Sequence, residues 1–112
     1  METTLIDIYK SHNILIGVKG ENEVLQVLFD ITAWRNKSNL EQTGTYILYL
    51  KYPNESKVNK LTLESENHFV KWTIQKQDLE RVGKGEAQLF FEAINGQIIA
   101  SNIFKIIVQD CM

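Results

Sequence analysis

A glycine-lysine-glycine stretch, Gly83-Lys84-Gly85, is the place in this sequence where residue types first suggest chemistry. Glycines beside a lysine could cradle a phosphate. A phosphate-binding loop, however, needs the spacing GxxxxGK[ST] between a strand and a helix, so that backbone amides and the helix dipole meet the anion. Here Gly85 is followed by Glu86 and an alternating, strand-like pattern. We therefore interpret the stretch as a turn that leads into a strand, where glycine supplies backbone freedom.

The other reactive residue types are isolated from one another. His12 and His68 lie far apart, and neither has a cysteine or carboxylate beside it at metal-ligand spacing. Cys111 is close to the end of the sequence and has no histidine near it that would suggest a nucleophilic pair. Asp78 and Glu80 are two residues apart, but acidic residues are common in turns. The sequence predicts no catalytic, cofactor-binding or metal-binding residues, and hence no enzyme.

Length and composition predict one ordinary globular domain over residues 1–112. Hydrophobic residues make up 44% of the chain and charged residues 23%, which is typical of a folded protein of this size. The formal net charge of −2 offers no basic surface for nucleic acid or anionic lipid. A single cysteine excludes an internal disulfide and fits a reducing compartment. No segment is typical of a signal peptide or a membrane-spanning helix.

The hydrophobic pattern alternates with a period of two, which predicts strands rather than helices. Residues 23–32 and 45–52 show it most clearly, and the second segment has the aromatic and β-branched composition of a central strand. Further strands are predicted near residues 5–9, 14–18, 61–65 and 68–74. Two polar segments, residues 32–40 and 75–82, are each expected to form at most one helical turn.

Asn95-Gly96 predicts a hairpin near the end of the chain, because this dipeptide tolerates the positive φ angles of a two-residue turn. With these two residues as the loop, Ala93 faces Ile98 and Phe91 faces Ala100 on the core side. On the other side, Glu92 faces Ile99 and Glu86 faces Lys105. That second face carries three apolar residues that need a neighbour or a partner chain, and we predict them as an interface: Phe90, Ile99 and Ile103.

Six to eight short strands with frequent turn signals predict an all-β fold, specifically a single antiparallel β-sandwich of the immunoglobulin-like or jelly-roll-like kind. Sandwich modules often stack aromatic rings on sugars. A carbohydrate-binding module that uses Tyr46, Tyr49 or Tyr52 is therefore the alternative function.

Several short motifs, taken in order, are more informative than the composition. The chain resembles small phage or prophage structural proteins of Gram-positive bacteria over residues 15–108, and it is similar to the N-terminal β-sandwich domain of upper baseplate proteins and to head-fibre and tail-accessory proteins. The stretches that carry the resemblance are FDITAW (29–34), LYLKYP (48–53), VKWTI (70–74), Asp78 with GKGEAQL (83–89), and IASNIF (99–104).

The resemblance implies a non-enzymatic virion structural protein that acts by docking onto other proteins. The implied partners are other virion proteins, further copies of the chain, or both, with no nucleic acid and no membrane. The implied location is the virion, or the bacterial cytoplasm before assembly, and no cofactor is implied.

Overall fold

The computed structural model describes residues 1–10, 12–36 and 43–111. Over these residues the chain forms nine strands, one α-helical turn and one 3₁₀ turn. In chain order they are β1 (Glu2–Asp7), β2 (Asn13–Val18), β3 (Leu25–Asp30), α1 (Thr32–Arg35), β4 (Gly44–Lys51), β5 (Asn59–Glu66), β6 (Phe69–Thr73), the 3₁₀ turn (Lys76–Leu79), β7 (Gly83–Ala93), β8 (Ile98–Ala100) and β9 (Phe104–Gln109). Both helical turns fall where the sequence predicted one turn at most. Residues 37–40 of the first predicted segment lie outside the described residues.

The strands form one continuous hydrogen-bonded path in the order β1-β3-β6-β5-β4-β7-β9-β2, and β8 pairs with β7 beside that path. Strand β5 joins the β1-β3-β6 half of the sheet to the β4-β7-β9-β2 half, because residues 59–63 pair with β4 while residues 64–66 pair with β6. The sheet therefore curls into a half-barrel. The prediction of an all-β fold is confirmed, but the sheet does not divide clearly into the two layers of a sandwich.

Two features of the predicted sheet are corrected. The two outermost pairs, β1 with β3 and β2 with β9, are parallel, whereas the remaining pairs are antiparallel as predicted. The described residues also contain nine strands instead of six to eight. The extra strand arises because residues 97–108, which alternate like one strand, are divided by an irregular segment into β8 and β9.

The last hairpin has a three-residue loop, not the predicted two-residue loop. The amide of Ala93 donates to the carbonyl of Gln97 at 2.8 Å, and Gly96 has a φ of +94°, the geometry of a turn that ends in a left-handed residue. Beside the loop, Glu92 therefore faces Ile98, and Phe91 faces Ile99. One extra residue between β8 and β9 then acts as a bulge. This bulge restores the predicted pairing between β7 and β9, in which Glu86 faces Lys105.

The concave side of the curled sheet holds the core. Alternation in β4 buries Tyr46, Leu48 and Leu50, and the rings of Phe29 and Phe104 stack across the core with centroids 5.7 Å apart. Fully burying a side chain of this size stabilises the fold by about 1.5–3 kcal/mol. The outward-facing residues of the same strands are free for other roles, and the candidate site lies among them.

Candidate docking surface

A stacked ring pair, Tyr49 and Phe90, lies on the convex side of β4 and β7, with ring centroids 4.5 Å apart. Antiparallel pairing of these strands places Ile47 opposite Phe90 and Tyr49 opposite Gln88, so the rings meet diagonally. The Nζ atom of Lys60 is 5.2 Å from the centre of the Tyr49 ring, within cation–π range. The side chains of this face are thus ordered by contacts within the chain.

Exposed aliphatic side chains extend the apolar surface beyond the rings. Val58 and Ile103 are 52% and 53% exposed, and together with Tyr49 they line a groove of about 180 Å³. Ile98 is 64% exposed and lies further along β8 on the same face. Clustered apolar exposure of this kind marks a contact surface more often than scattered single residues do. We call this surface the outer patch and define it by Tyr49, Val58, Phe90, Ile98 and Ile103.

The structure brings together two of the three predicted interface residues. Phe90 and Ile103 both lie on the outer patch, but Ile99 faces the concave side opposite Phe91, where it packs half-buried against the core. The structure corrects the predicted face of Ile99, because the longer loop shifts the β8 register by one residue, and a shift of one residue moves a side chain to the other face.

The same shift brings Ile98 to the surface, although the sequence placed it opposite Ala93 in the core. Sequence reasoning also missed Val58. The available signal was its position as an isolated aliphatic residue in the polar loop between β4 and β5.

A polar rim borders the outer patch. Glu86 pairs with Lys105 across β7 and β9, as predicted, with 3.1 Å between Nζ and Oε2. Lys51 and Glu86 also line the groove beside Tyr49. An apolar centre with a charged, solvent-exposed rim is the usual arrangement of a protein-protein interface.

The three tyrosines of the carbohydrate hypothesis do not share a surface. Tyr46 is buried against Phe91, with ring centroids 4.8 Å apart, and Tyr52 is half-buried against the core. Only Tyr49 lies on the convex face, where Phe90 already stacks on it. These positions do not provide the row of rings that a sugar-binding face would use.

Asp78, one of the two acidic residues considered for catalysis, is buried and held by hydrogen bonds from within the chain. The hydroxyl of Tyr52 donates to its Oδ1, and the amide of Gln75 donates to its Oδ2 at 2.8 Å. Burial, followed by the hydrogen bond and the charge of Asp78, raises the pKa of Tyr52 well above its ordinary value. The phenol therefore stays neutral and donates, which makes this pair a brace between the end of β4 and the 3₁₀ turn.

The remaining reactive residues are also dispersed or structural. Gly83, Lys84 and Gly85 are the first residues of β7, so the glycines belong to a strand and do not form a loop around an anion. A side chain at Gly85 would clash, because a Cβ there would lie 2.3 Å from the carbonyl oxygen of Lys51. Within residues 1–10, 12–36 and 43–111, no group of three or more metal-ligating side chains occurs, and Cys111 is exposed. No helix in the same ranges is long and apolar enough to cross a membrane.

These features define a small all-β fold with exposed apolar side chains clustered on its convex face. No protein-family model matches the chain. No curated protein matches it either. Among solved structures, it is similar to the N-terminal domain of phage TP901-1 ORF48, with a TM-score of 0.61 and 16% sequence identity. The match covers 96% of this chain and 97% of the other, so the two share one fold from end to end.

Proposed function

We propose that this chain is a non-enzymatic structural component of a phage virion, which docks onto other virion proteins through the outer patch. The observation that carries the proposal is the fold shared with a phage protein domain over 96% of the chain. A shared fold does not specify a function by itself. The ordered sequence motifs that resemble phage baseplate, tail-accessory and head-fibre proteins point in the same direction independently.

The outer patch supplies the docking surface in this proposal. Tyr49 and Phe90 are already stacked on each other, so binding costs little side-chain entropy there. Val58, Ile98 and Ile103 offer apolar area that a partner would remove from water. Virion assemblies are symmetric, so we expect several copies of the chain to occupy equivalent positions on a ring or fibre. Among baseplate, tail-accessory and head-fibre components, we propose a baseplate component.

The proposal is tested with the full chain and the structural proteins encoded beside its gene. We expect the tagged chain to retain a neighbouring virion protein, and an antibody against the chain to detect it in purified particles. A double variant, Val58→Asp with Ile103→Asp, should reduce retention at least about tenfold, because docking would bury unpaired carboxylates.

Ile94→Asp is the matched control, since Ile94 is 76% exposed at the hairpin tip outside the outer patch. Normal retention of the double variant would overturn the outer patch as the docking surface. Absence of the chain from particles, together with no retention of any virion protein, would overturn the proposed function itself.

A further inference from the structure

Among residues 1–10, 12–36 and 43–111, strands β1 and β2 form the two ends of the curled sheet, and each has a paired neighbour along one edge only. Strand β1 pairs with β3 on one side only, and β2 pairs with β9 on one side only. Within the described ranges, no backbone hydrogen bond joins β1 to β2. The half-barrel is therefore open along a seam between these two strands, which run in opposite directions along it.

The alternation of hydrogen-bonded residues along β1 and β2 shows which backbone groups face the seam. The amide of Glu2 donates to Val24 in the β1–β3 ladder at 2.9 Å. Because the ladder engages alternate residues, Thr3 and Leu5 direct their N–H and C=O groups toward the seam. On the other side, Lys105 donates to the carbonyl of His12 at 3.0 Å. This bond places the backbone groups of Asn13 and Leu15 at the seam for the same reason.

One edge amide is already occupied, which marks one end of the seam. The amide of Val18 points away from β9 and donates to Oε1 of Glu21 at 2.6 Å. A side chain that occupies an edge amide blocks further strand pairing at that position. Along the edge of β2, the backbone groups of Asn13 and Leu15 can therefore pair with another strand, whereas the amide of Val18 cannot.

The seam is also an apolar groove with one acidic end. The groove has a volume of about 480 Å³ and is lined by both leucines of the edge strands, Leu5 and Leu15, which are 63% and 47% exposed. Among the residues that the structure describes, the lining includes Glu2 and Glu21 but no lysine or arginine. Both carboxylates lie at the same end, because the start of β1 and the end of β2 are adjacent when the strands run in opposite directions.

We propose that this seam accepts one extended strand of a partner polypeptide, with alternating apolar side chains and a basic residue next to Glu2 and Glu21. The seam-facing backbone groups of Thr3, Leu5 and Leu15 would hydrogen-bond to the strand, as in other cases of strand addition at a sheet edge. The acidic end fixes its direction. Naming the partner as a virion protein rests on the proposed function; the strand-accepting seam does not.

A synthetic ten-residue peptide of alternating valine and threonine, with two lysines at one end, tests the proposal on the full chain. Two-dimensional NMR should show saturable shifts of the Thr3, Leu5, Asn13 and Leu15 amides, and hydrogen exchange at Leu5 and Leu15 should slow at least about tenfold. The same peptide with glutamates in place of the lysines should bind at least about tenfold more weakly. The Glu2→Lys variant should show a smaller difference in affinity between the lysine peptide and the glutamate peptide.

Leu15→Pro removes one edge donor that faces away from β9, the position at which an edge strand tolerates proline. We expect this variant to lose peptide binding, whereas Leu15→Thr keeps the amide and should retain most of it. Unchanged binding by folded Leu15→Pro, shifts confined to the outer patch, or no binding at all would overturn the strand site. Protection of these amides that grows with protein concentration alone would also overturn it, by identifying a second copy as the occupant.

The peptide experiment and the particle experiment separate the two proposals. Peptide binding without any association with virion proteins would sustain the seam and overturn the proposed function. Association with virion proteins that leaves the seam amides exchanging freely would sustain the proposed function and overturn the strand site.

Discussion

The hydroxyl of Tyr52 donates a hydrogen bond to the buried carboxylate of Asp78, which lies 26 positions later in the chain. Strand β4 ends immediately before Tyr52, and Asp78 belongs to the 3₁₀ turn that precedes β7. The contact thus fixes the turn against the end of a central strand. The same turn is tied to the loop before β3, where Asn22 accepts a hydrogen bond from the amide of Lys76 at 2.8 Å.

Tyr52→Phe should lower the free energy of unfolding by about 1–3 kcal/mol, because it leaves a buried carboxylate without one of its donors. Tyr49→Phe is the matched control on the convex face and should change it by less than about 0.5 kcal/mol. Urea unfolding at neutral pH measures both. Equal losses in the two variants would contradict a brace between Tyr52 and Asp78.

The raised pKa of Tyr52 predicts a loss of stability in alkaline solution. The unfolded chain ionises this phenol near its ordinary pKa of 10.0, whereas the folded chain keeps the proton to higher pH. Unfolding therefore releases a proton above about pH 10, and the free energy of unfolding falls as pH rises through that region. We expect denaturant unfolding between about pH 9 and pH 11 to show a shallower fall for Tyr52→Phe.

Some alkaline dependence should remain in that variant, because burial also raises the pKa of Tyr46. Identical pH profiles for the wild type and Tyr52→Phe would show that the proton on Tyr52 does not contribute.

Phe91→Ala should cost about 3–5 kcal/mol, since Phe91 is 2% exposed and packs against Tyr46 in the core. Glu86→Ala, on the opposite face of the same strand, should cost less than about 1 kcal/mol, because its ion pair with Lys105 is solvent-exposed. Thermal and urea unfolding compare the two. Similar costs would mean that the two faces of β7 are assigned the wrong way round.

Gly85→Ala should destabilise the fold by about 1–3 kcal/mol through overpacking. The added Cβ would lie 2.3 Å from the carbonyl oxygen of Lys51 and 3.1 Å from Cγ1 of Ile106. Lys84→Ala is the control, because Lys84 is exposed and should tolerate the change within about 0.5 kcal/mol. Normal stability of Gly85→Ala would argue against the close approach of β7 to β4.

Local sequence was sufficient where structure depends on neighbours along the chain. Alternation assigned the buried face of β7, and the polar segments predicted single helical turns where Thr32–Arg35 and Lys76–Leu79 lie. The Glu86–Lys105 pair also followed from the strand pattern. Asn95-Gly96 located the hairpin, but the dipeptide fits both two-residue and three-residue loops. The sequence therefore predicted the wrong β8 register, and with it the wrong faces for Ile98 and Ile99.

The sequence by itself determined that this protein is all-β, that the Phe91 side of β7 faces the core, and that its glycine-lysine-glycine stretch leads into a strand. Only the tertiary structure decided that β5 bridges both halves of one curled sheet, that the outermost strand pairs are parallel, and that Tyr52 meets Asp78. The physical reason is that pairing between distant strands follows from packing and hydrogen bonding over the whole core. The open seam between β1 and β2 follows from the same long-range arrangement.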